Sequence, residues 1–188
     1  NNCLTDYLNI PKVNKLSSYT IGIDTIDKMV EKTIEAKKAG FQVLKIKIGT
    51  DNDIELLEAI LNHWDKPFSV DVNQGWKSLE YAIEVANYLK TKKALFIEQP
   101  FHKDEVDLHL QLKNANILPI IADESIKRLK DLENLYSNFD GVNIKLMKST
   151  GIREAQKMIA FAQLKGLKVV IGCMAESSCA ATAASNLI

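Results

Sequence analysis

The stretch VLKIKIG, residues 43–49, places two lysines in an otherwise apolar and β-branched segment. Side chains at positions i and i+2 of a β-strand point to the same face, so Lys45 and Lys47 share one face. The opposite face carries Leu44, Ile46 and Ile48. The pattern predicts a strand that is apolar on one side and directs two ammonium groups to the other.

Apolar segments of this kind recur along the chain and alternate with segments of helical periodicity. Strands are predicted at 18–23, 42–48, 67–72, 94–98, 118–123, 141–145 and 168–172. Strands that alternate with helices form parallel sheets with right-handed crossovers. The first helix is predicted to begin with Asp24 as its N-cap and to end before Gly40, and a later helix to end before Gly166.

Two architectures fit this alternation, an open doubly wound sheet and a closed (β/α) barrel. The first strand is followed by IGIDTID and lacks the G-x-G-x-x-G phosphate fingerprint of many open sheets. Polar residues instead end nearly every strand, and a barrel builds its site from the ends of many strands. We therefore predict an α/β fold of the TIM-type (β/α) barrel class, present as about seven strand–helix units.

The composition limits the function to chemistry performed by locally placed charges. The chain has 188 residues, and 24 Lys and Arg residues balance 24 Asp and Glu residues. This balance gives no reason to expect nucleic acid or a membrane as a partner. Three cysteines without metal-ligand spacing indicate free thiols and a cytoplasmic protein: Cys3, Cys173 and Cys179.

The ends of the sequence suggest a piece of a longer polypeptide. The chain does not start with Met, and it stops at AATAASNLI within an apolar helical pattern. We expect residues 17–188 to be a barrel domain without its last strand. A homo-oligomer is expected.

Three acids close successive apolar segments, FSVDVNQGW, LFIEQP and PIIADES. Asp71, Glu98 and Asp123 lie 27 and 25 residues apart, and in a barrel they would converge on one mouth. Such acids could each serve as a helix N-cap. Three like charges would repel one another, however, and a hard divalent cation such as Mg²⁺ would remove that repulsion.

Lysines lie on either side of these acids in the chain, Lys47 before them and Lys145 after them. Neighbouring cations lower the pKa of an ammonium group, and the free amine can then act as a base. Two bases that face each other across one carbon suit the removal of a proton from one face and its return to the other. This is the requirement of a racemase or epimerase.

The segments KIKIG, DVNQGW, IEQP, IADES and NIKLMKSTGI, in this order and spacing, resemble the enolase superfamily, in its muconate-lactonising subgroup. The resemblance implies that Asp71, Glu98 and Asp123 bind Mg²⁺ and that Lys47 and Lys145 are the two acid/base residues. It also implies that Lys45 binds the substrate carboxylate, and that residues 1–16 are a segment that leaves an N-terminal capping domain. Asn73 and Glu124 are expected to lie next to the metal ligands.

Within the subgroup, SSYTIGID and GCMAESS resemble dipeptide epimerases of the L-Ala-D/L-Glu type, which implies a dipeptide substrate and two-base proton transfer through an enediolate. Substrate contacts are expected from Thr20, Cys173, Met174 and Glu176. The segment KSTGI departs from the double-glycine turn more usual in the family.

Three alternatives remain open from the sequence. One is an o-succinylbenzoate synthase or N-acylamino acid racemase, and another is an enzyme similar to muconate cycloisomerase. The third is a barrel retained as a non-enzymatic binding subunit. The five metal and base positions all carry charged residues. This argues against a non-enzymatic subunit, because buried charges without a function are costly.

Overall fold

The structure is a computed structural model that describes residues 4–8 and 16–187. Seven strands are each followed by a helix. The strands are β1 (Ser18–Ile21), β2 (Val43–Lys47), β3 (Phe68–Asp71), β4 (Ile97–Glu98), β5 (Ile120–Ala122), β6 (Gly141–Ile144) and β7 (Lys168–Ile171). The helices are α1 (Leu4–Leu8), α2 (Ile26–Lys38), α3 (Asp53–Leu61), α4 (Leu79–Thr91), α5 (Val106–Asn114), α6 (Leu129–Leu135), α7 (Ile152–Leu164) and α8 (Ser178–Ser185), with a 3-10 turn at Tyr136–Asn138.

All seven predicted strands are confirmed, and each is shorter than its sequence pattern indicated. In β2 the alternation holds, because Leu44, Ile46 and the following Ile48 are fully buried while Lys45 and Lys47 are half-buried.

The chain divides into two compact units, which we describe separately. The first contains Leu16–Ile120, and the second contains the remainder of the described residues. In the first unit, β1 to β4 pair in parallel in the order of the sequence. The register sets Thr20 beside Lys45, Lys47 beside Asp71, and Asp71 beside Glu98. One base candidate and two acid candidates therefore occupy the same level of this sheet.

The second unit repeats the arrangement. Strand β5 pairs in parallel with β6, and β6 with β7, with Ala122 beside Val142 and Asn143 beside Val170. Asp123 follows β5 directly and Lys145 follows β6 directly. Each unit thus has a lysine and an acid at the carboxyl ends of its strands.

Glycines end two helices as the sequence predicted, whereas the predicted N-cap at Asp24 is wrong. Gly40 and Gly166 have φ angles of 85° and 70°. At both positions two backbone N–H groups turn back to carbonyls of the last helical turn, which is the Schellman arrangement. Thr25 is the N-cap of α2, and the Asp24 carboxylate accepts a hydrogen bond from the Thr25 N–H at 2.8 Å.

Two further features concern the predicted setting of the protein. In residues 4–8 and 16–187, no helix combines the length and the apolar character that crossing a membrane requires. Cys173 and Cys179 are free thiols, as predicted, and both are exposed. Two parts of the predicted N-terminal segment lie outside the described residues: residues 1–3, which include Cys3, and residues 9–15.

Candidate active site

In the first unit, one ammonium group lies between two carboxylates. Lys45 Nζ is 2.9 Å from Asp71 Oδ2 and 2.8 Å from Glu98 Oε1. The two acids are almost fully buried, and the Lys45 side chain is 17% exposed. Burial by itself lowers the pKa of Lys45, but the charges of Glu98 and Asp71 outweigh it and raise that pKa above its ordinary value. Lys45 is therefore a fixed positive charge.

Lys47, the base candidate of this unit, is held by the turn that follows β3. Its Nζ donates a hydrogen bond to Asn73 Oδ1 at 2.7 Å, and the Asn73 N–H donates to Asp71 Oδ1 at 3.1 Å. The strand ends at Asp71, and Asn73 and Gln74 have left-handed φ angles of 46° and 68°. The turn that follows the strand therefore brings Asn73 beside Asp71.

In the second unit, one carboxylate lies between two ammonium groups. Asp123 Oδ2 is 2.6 Å from Lys145 Nζ, and Asp123 Oδ1 accepts a short hydrogen bond from Lys148 Nζ. Burial opposes ionisation of Asp123, but the charges of Lys148 and Lys145 outweigh it and hold the pKa of this carboxyl below its usual range. Asp123 is therefore ionised.

Lys148 was not singled out from the sequence, and it has the most extensive contacts of this cluster. Its Nζ also donates to the carbonyl oxygens of Asp123 at 2.7 Å, Asn143 at 3.0 Å and Ile126 at 3.3 Å. Burial lowers the pKa of Lys148. The available signal was a second lysine three positions after Lys145 in KLMKST, but the apolar alternation that identified strand residues ends before it.

The predicted substrate contacts lie in two places. Thr20 is exposed on β1, in register with Lys45. Cys173 and Met174 are exposed in the loop after β7, and Glu176 Oε1 accepts a hydrogen bond from the Met174 N–H at 2.8 Å. Glu124, beside Asp123, is half-buried.

The donor chemistry fits a hard divalent cation. Within either unit, the described residues contain no group of three or more His, Cys, Asp and Glu side chains that could hold a metal ion. The carboxylates of Asp71 and Glu98 nevertheless already share a cation, the Lys45 ammonium, which stands where a positive charge is stabilised. Carboxylate oxygens are the ligands that Mg²⁺ prefers, and Asp71 and Glu98 of the first unit supply donors of this kind.

Comparison with known proteins identifies relatives of this arrangement. Residues 28–188 match the family described as "Enolase C-terminal domain-like". The chain is 48% identical over 171 residues to the L-Ala-D/L-Glu epimerase of Bacteroides thetaiotaomicron, covering 90% of this chain and 44% of that protein. It is 37% identical over 175 residues to the L-Ala-D/L-amino acid epimerase of Flavobacterium johnsoniae, covering 93% of this chain and 51% of that protein.

A solved structure matches over nearly the whole chain. The dipeptide epimerase from Cytophaga hutchinsonii, complexed with Mg and the dipeptide D-Ala-L-Val, superimposes with a TM-score of 0.91 at 32% identity, covering 98% of this chain and 52% of that one. The predicted fold class, a partial (β/α) barrel of the enolase type, is confirmed. The chain spans about half the length of the relatives it matches.

Proposed function

Because the chain belongs to the enolase C-terminal domain-like family, we propose that the protein is a Mg²⁺-dependent dipeptide epimerase of the L-Ala-D/L-Glu type. The observation that carries the proposal is the pairing of each candidate base with an acid. Lys145 contacts Asp123 directly, and Lys47 is linked to Asp71 through Asn73. The two relatives and the solved structure named above are called L-Ala-D/L-Glu, L-Ala-D/L-amino acid and dipeptide epimerases, which supports a dipeptide substrate over the other reactions of the family.

Asp71, Glu98 and Asp123 would hold the metal ion. When bound, Mg²⁺ supplies positive charge that stabilises the enediolate formed at the substrate carboxylate. Asn73 is proposed to orient Asp71 through the hydrogen bond from its backbone N–H. Glu124 adjoins Asp123 in the sequence, is half-buried, and is proposed to lie next to the metal ligands.

Lys47 and Lys145 are proposed to transfer the α-proton. One lysine removes the proton from one face of the α-carbon, and the other returns a proton to the opposite face, so the configuration inverts. Each Nζ is already a hydrogen-bond donor to an oxygen of its own unit, which orients the amine before substrate binds. Lys45, a permanent cation between two buried acids, is proposed to attract the substrate carboxylate.

The remaining substrate contacts are proposed for Thr20, Cys173, Met174 and Glu176, which face solvent in part or in full. A small dipeptide is the expected partner. The cytoplasmic location and the homo-oligomeric state stay predictions of the sequence.

Deuterium incorporation at the α-carbon tests the proposal. The intact protein is incubated in D₂O with Mg²⁺ and a set of L,L-dipeptides that includes L-Ala-L-Glu, and α-deuteration is followed by mass spectrometry. We expect deuterium in both epimers of at least one dipeptide and its loss when EDTA is added. Exchange with N-acylamino acids but with no dipeptide would contradict the proposed substrate class, and exchange with neither would contradict the activity.

A further inference from the structure

A buried carboxylate outside the acid and lysine clusters joins two of the site's turns. Asp53 is the first residue of α3 and is fully buried. Its Oδ1 accepts hydrogen bonds from the Gly49 N–H at 2.9 Å, the Thr50 N–H at 2.8 Å and the Thr50 hydroxyl at 2.9 Å. Its Oδ2 accepts one from Trp76 Nε1 at 2.7 Å. All four donors are neutral.

These donors belong to the turns that follow β2 and β3, which contact each other through their backbones. A Cβ atom at Gly75 would lie 2.6 Å from the Cα of Gly49, so no side chain fits between the turns. Gly49 has a φ of 116°, a conformation that favours glycine. The backbone N–H of Trp76 donates to the carbonyl of Pro100 at 3.1 Å, which extends the link to the loop after β4.

We propose that Asp53 is a positioning residue for Lys47, an inference that rests on the proposed function. Lys47 is the last residue of β2, directly before the first of the two turns, and its Nζ donates a hydrogen bond to Asn73 on the second. Asp53 fixes the separation of these turns, and so it fixes the position of the Lys47 amine relative to Asn73. Small displacements of a reacting group lower catalytic rates steeply.

The competing explanation is that Asp53 only stabilises the start of α3, where an acid is favourable. The contact with Trp76, 23 residues away in the sequence, is not required for that role. The two explanations predict different effects of Asp53→Asn. An asparagine of the same shape turns an NH₂ group toward the Trp76 N–H, so two donors oppose each other inside the protein.

The experiment measures α-deuteration separately from each epimer of the substrate in the intact protein. Lys47→Ala and Lys145→Ala first assign each epimer to its base. Asp53→Asn is then expected to slow the exchange that depends on Lys47 by about 10- to 100-fold and to change the exchange that depends on Lys145 by less than about twofold. If Asp53→Asn lowered both exchange rates to the same extent, or lowered neither, the proposal would be overturned.

Two further variants separate positioning from helix stabilisation. The carboxylate of Asp131 accepts hydrogen bonds from the Lys127 and Arg128 N–H groups at the start of α6. Asp131→Asn therefore serves as a matched control that should leave the ratio of the two exchange rates unchanged. Trp76→Phe combined with Asp53→Asn removes the opposed donor and should recover part of the Lys47-dependent rate relative to Asp53→Asn alone. A double variant no faster than Asp53→Asn would contradict the assigned contact.

A measurement that needs no substrate tests the positioning independently. Lysines are labelled by reductive ¹³C-methylation, and the Lys47 resonance is assigned by its absence in Lys47→Ala. Asp53→Asn should shift the Lys47 resonance and leave that of Lys145 in place. If the wild-type protein exchanges no substrate, the proposed activity fails, and this readout alone decides the positioning: an unchanged Lys47 resonance overturns it.

Discussion

The two units hold their buried charges in opposite arrangements. In residues 16–120 one ammonium, Lys45, is shared by two carboxylates, whereas in residues 121–187 one carboxylate, Asp123, is shared by two ammonium groups. In both units the shared group is the one whose removal would leave two like charges together. A buried charge without a counter-charge is costly, so each cluster depends more on its central member than on either flanking one.

The comparison also separates the groups that hold the structure from the groups proposed for chemistry. Lys45 and Lys148 make several contacts each with buried oxygens, while Lys47 and Lys145 each donate to one described oxygen. A base must be able to exchange its partner for a substrate, and a lysine with a single partner does so at lower cost. Each unit therefore combines a structural lysine with a candidate catalytic one.

The largest effect is expected from the two candidate bases. Lys47→Ala and Lys145→Ala should each lower α-proton exchange from one epimer by about 10³-fold or more, because each removes the base for one face. Measuring deuteration of the L,L- and L,D-dipeptides separately in D₂O tests this. A variant that abolishes exchange from both epimers alike would show that the two units do not supply one base each.

The next effect compares the shared carboxylate with a flanking one. Asp123→Asn should lower the free energy of unfolding by about 3–5 kcal/mol, because Lys145 and Lys148 lose their common counter-charge. Glu98→Gln should cost about 1–2 kcal/mol, since Asp71 still faces Lys45. Urea unfolding followed by far-UV circular dichroism in EDTA measures both. Equal losses of unfolding free energy in the two variants would contradict the distinction between a shared and a flanking carboxylate.

A third comparison concerns the two lysines around Asp123. Lys148→Met should lower the free energy of unfolding by about 2–3 kcal/mol, because three carbonyl oxygens and one carboxylate oxygen lose a donor. Lys145→Met should cost about 1 kcal/mol, since one carboxylate oxygen loses its partner. The same unfolding measurement applies. A greater loss for Lys145→Met would reverse the assignment of the structural and catalytic lysines.

The smallest effect distinguishes the units by their response to acid. All three histidines precede residue 121, and His109 is fully buried in the first unit. Burial lowers the pKa of His109 to about 4. Its Nε2 accepts from Gln99 Nε2 at 3.0 Å and its Nδ1 donates to the Glu105 carbonyl at 2.8 Å, so the neutral ring suits both contacts.

Because the unfolded chain takes up this proton near pH 6.5 and the folded chain only near pH 4, acid favours unfolding between these values. The contribution of His109 to the free energy of unfolding is fully present above pH 7, and about 2 kcal/mol of it should be lost by pH 5. Urea titrations at both pH values, followed by fluorescence of Trp64 and Trp76, report on the first unit. His109→Gln should remove this part of the pH dependence, and an unchanged slope would contradict the assignment.

Local sequence patterns predicted much of the fold and part of the site. Strand alternation identified Lys45 and Lys47 on one face, and the end of each apolar segment identified Asp71, Glu98 and Asp123. In the first unit the strand register sets Lys47, Asp71 and Glu98 at the same level of the sheet. These features follow from the period of a strand and the parallel pairing that alternation with helices requires.

The contacts of Asp53, Lys148 and Asn73 required the tertiary structure. Asp53 accepts a hydrogen bond from Trp76, 23 positions away in the sequence. Lys148 lies in a turn in which its backbone N–H donates to the Lys145 carbonyl at 3.0 Å. Asn73 faces Lys47 because its φ angle is left-handed. The sequence by itself determined which charges end the strands, since that depends on a local period. Which ammonium group pairs with which carboxylate depends on the turns between the elements. The conformation of these turns follows no sequence periodicity and is set only by tertiary packing.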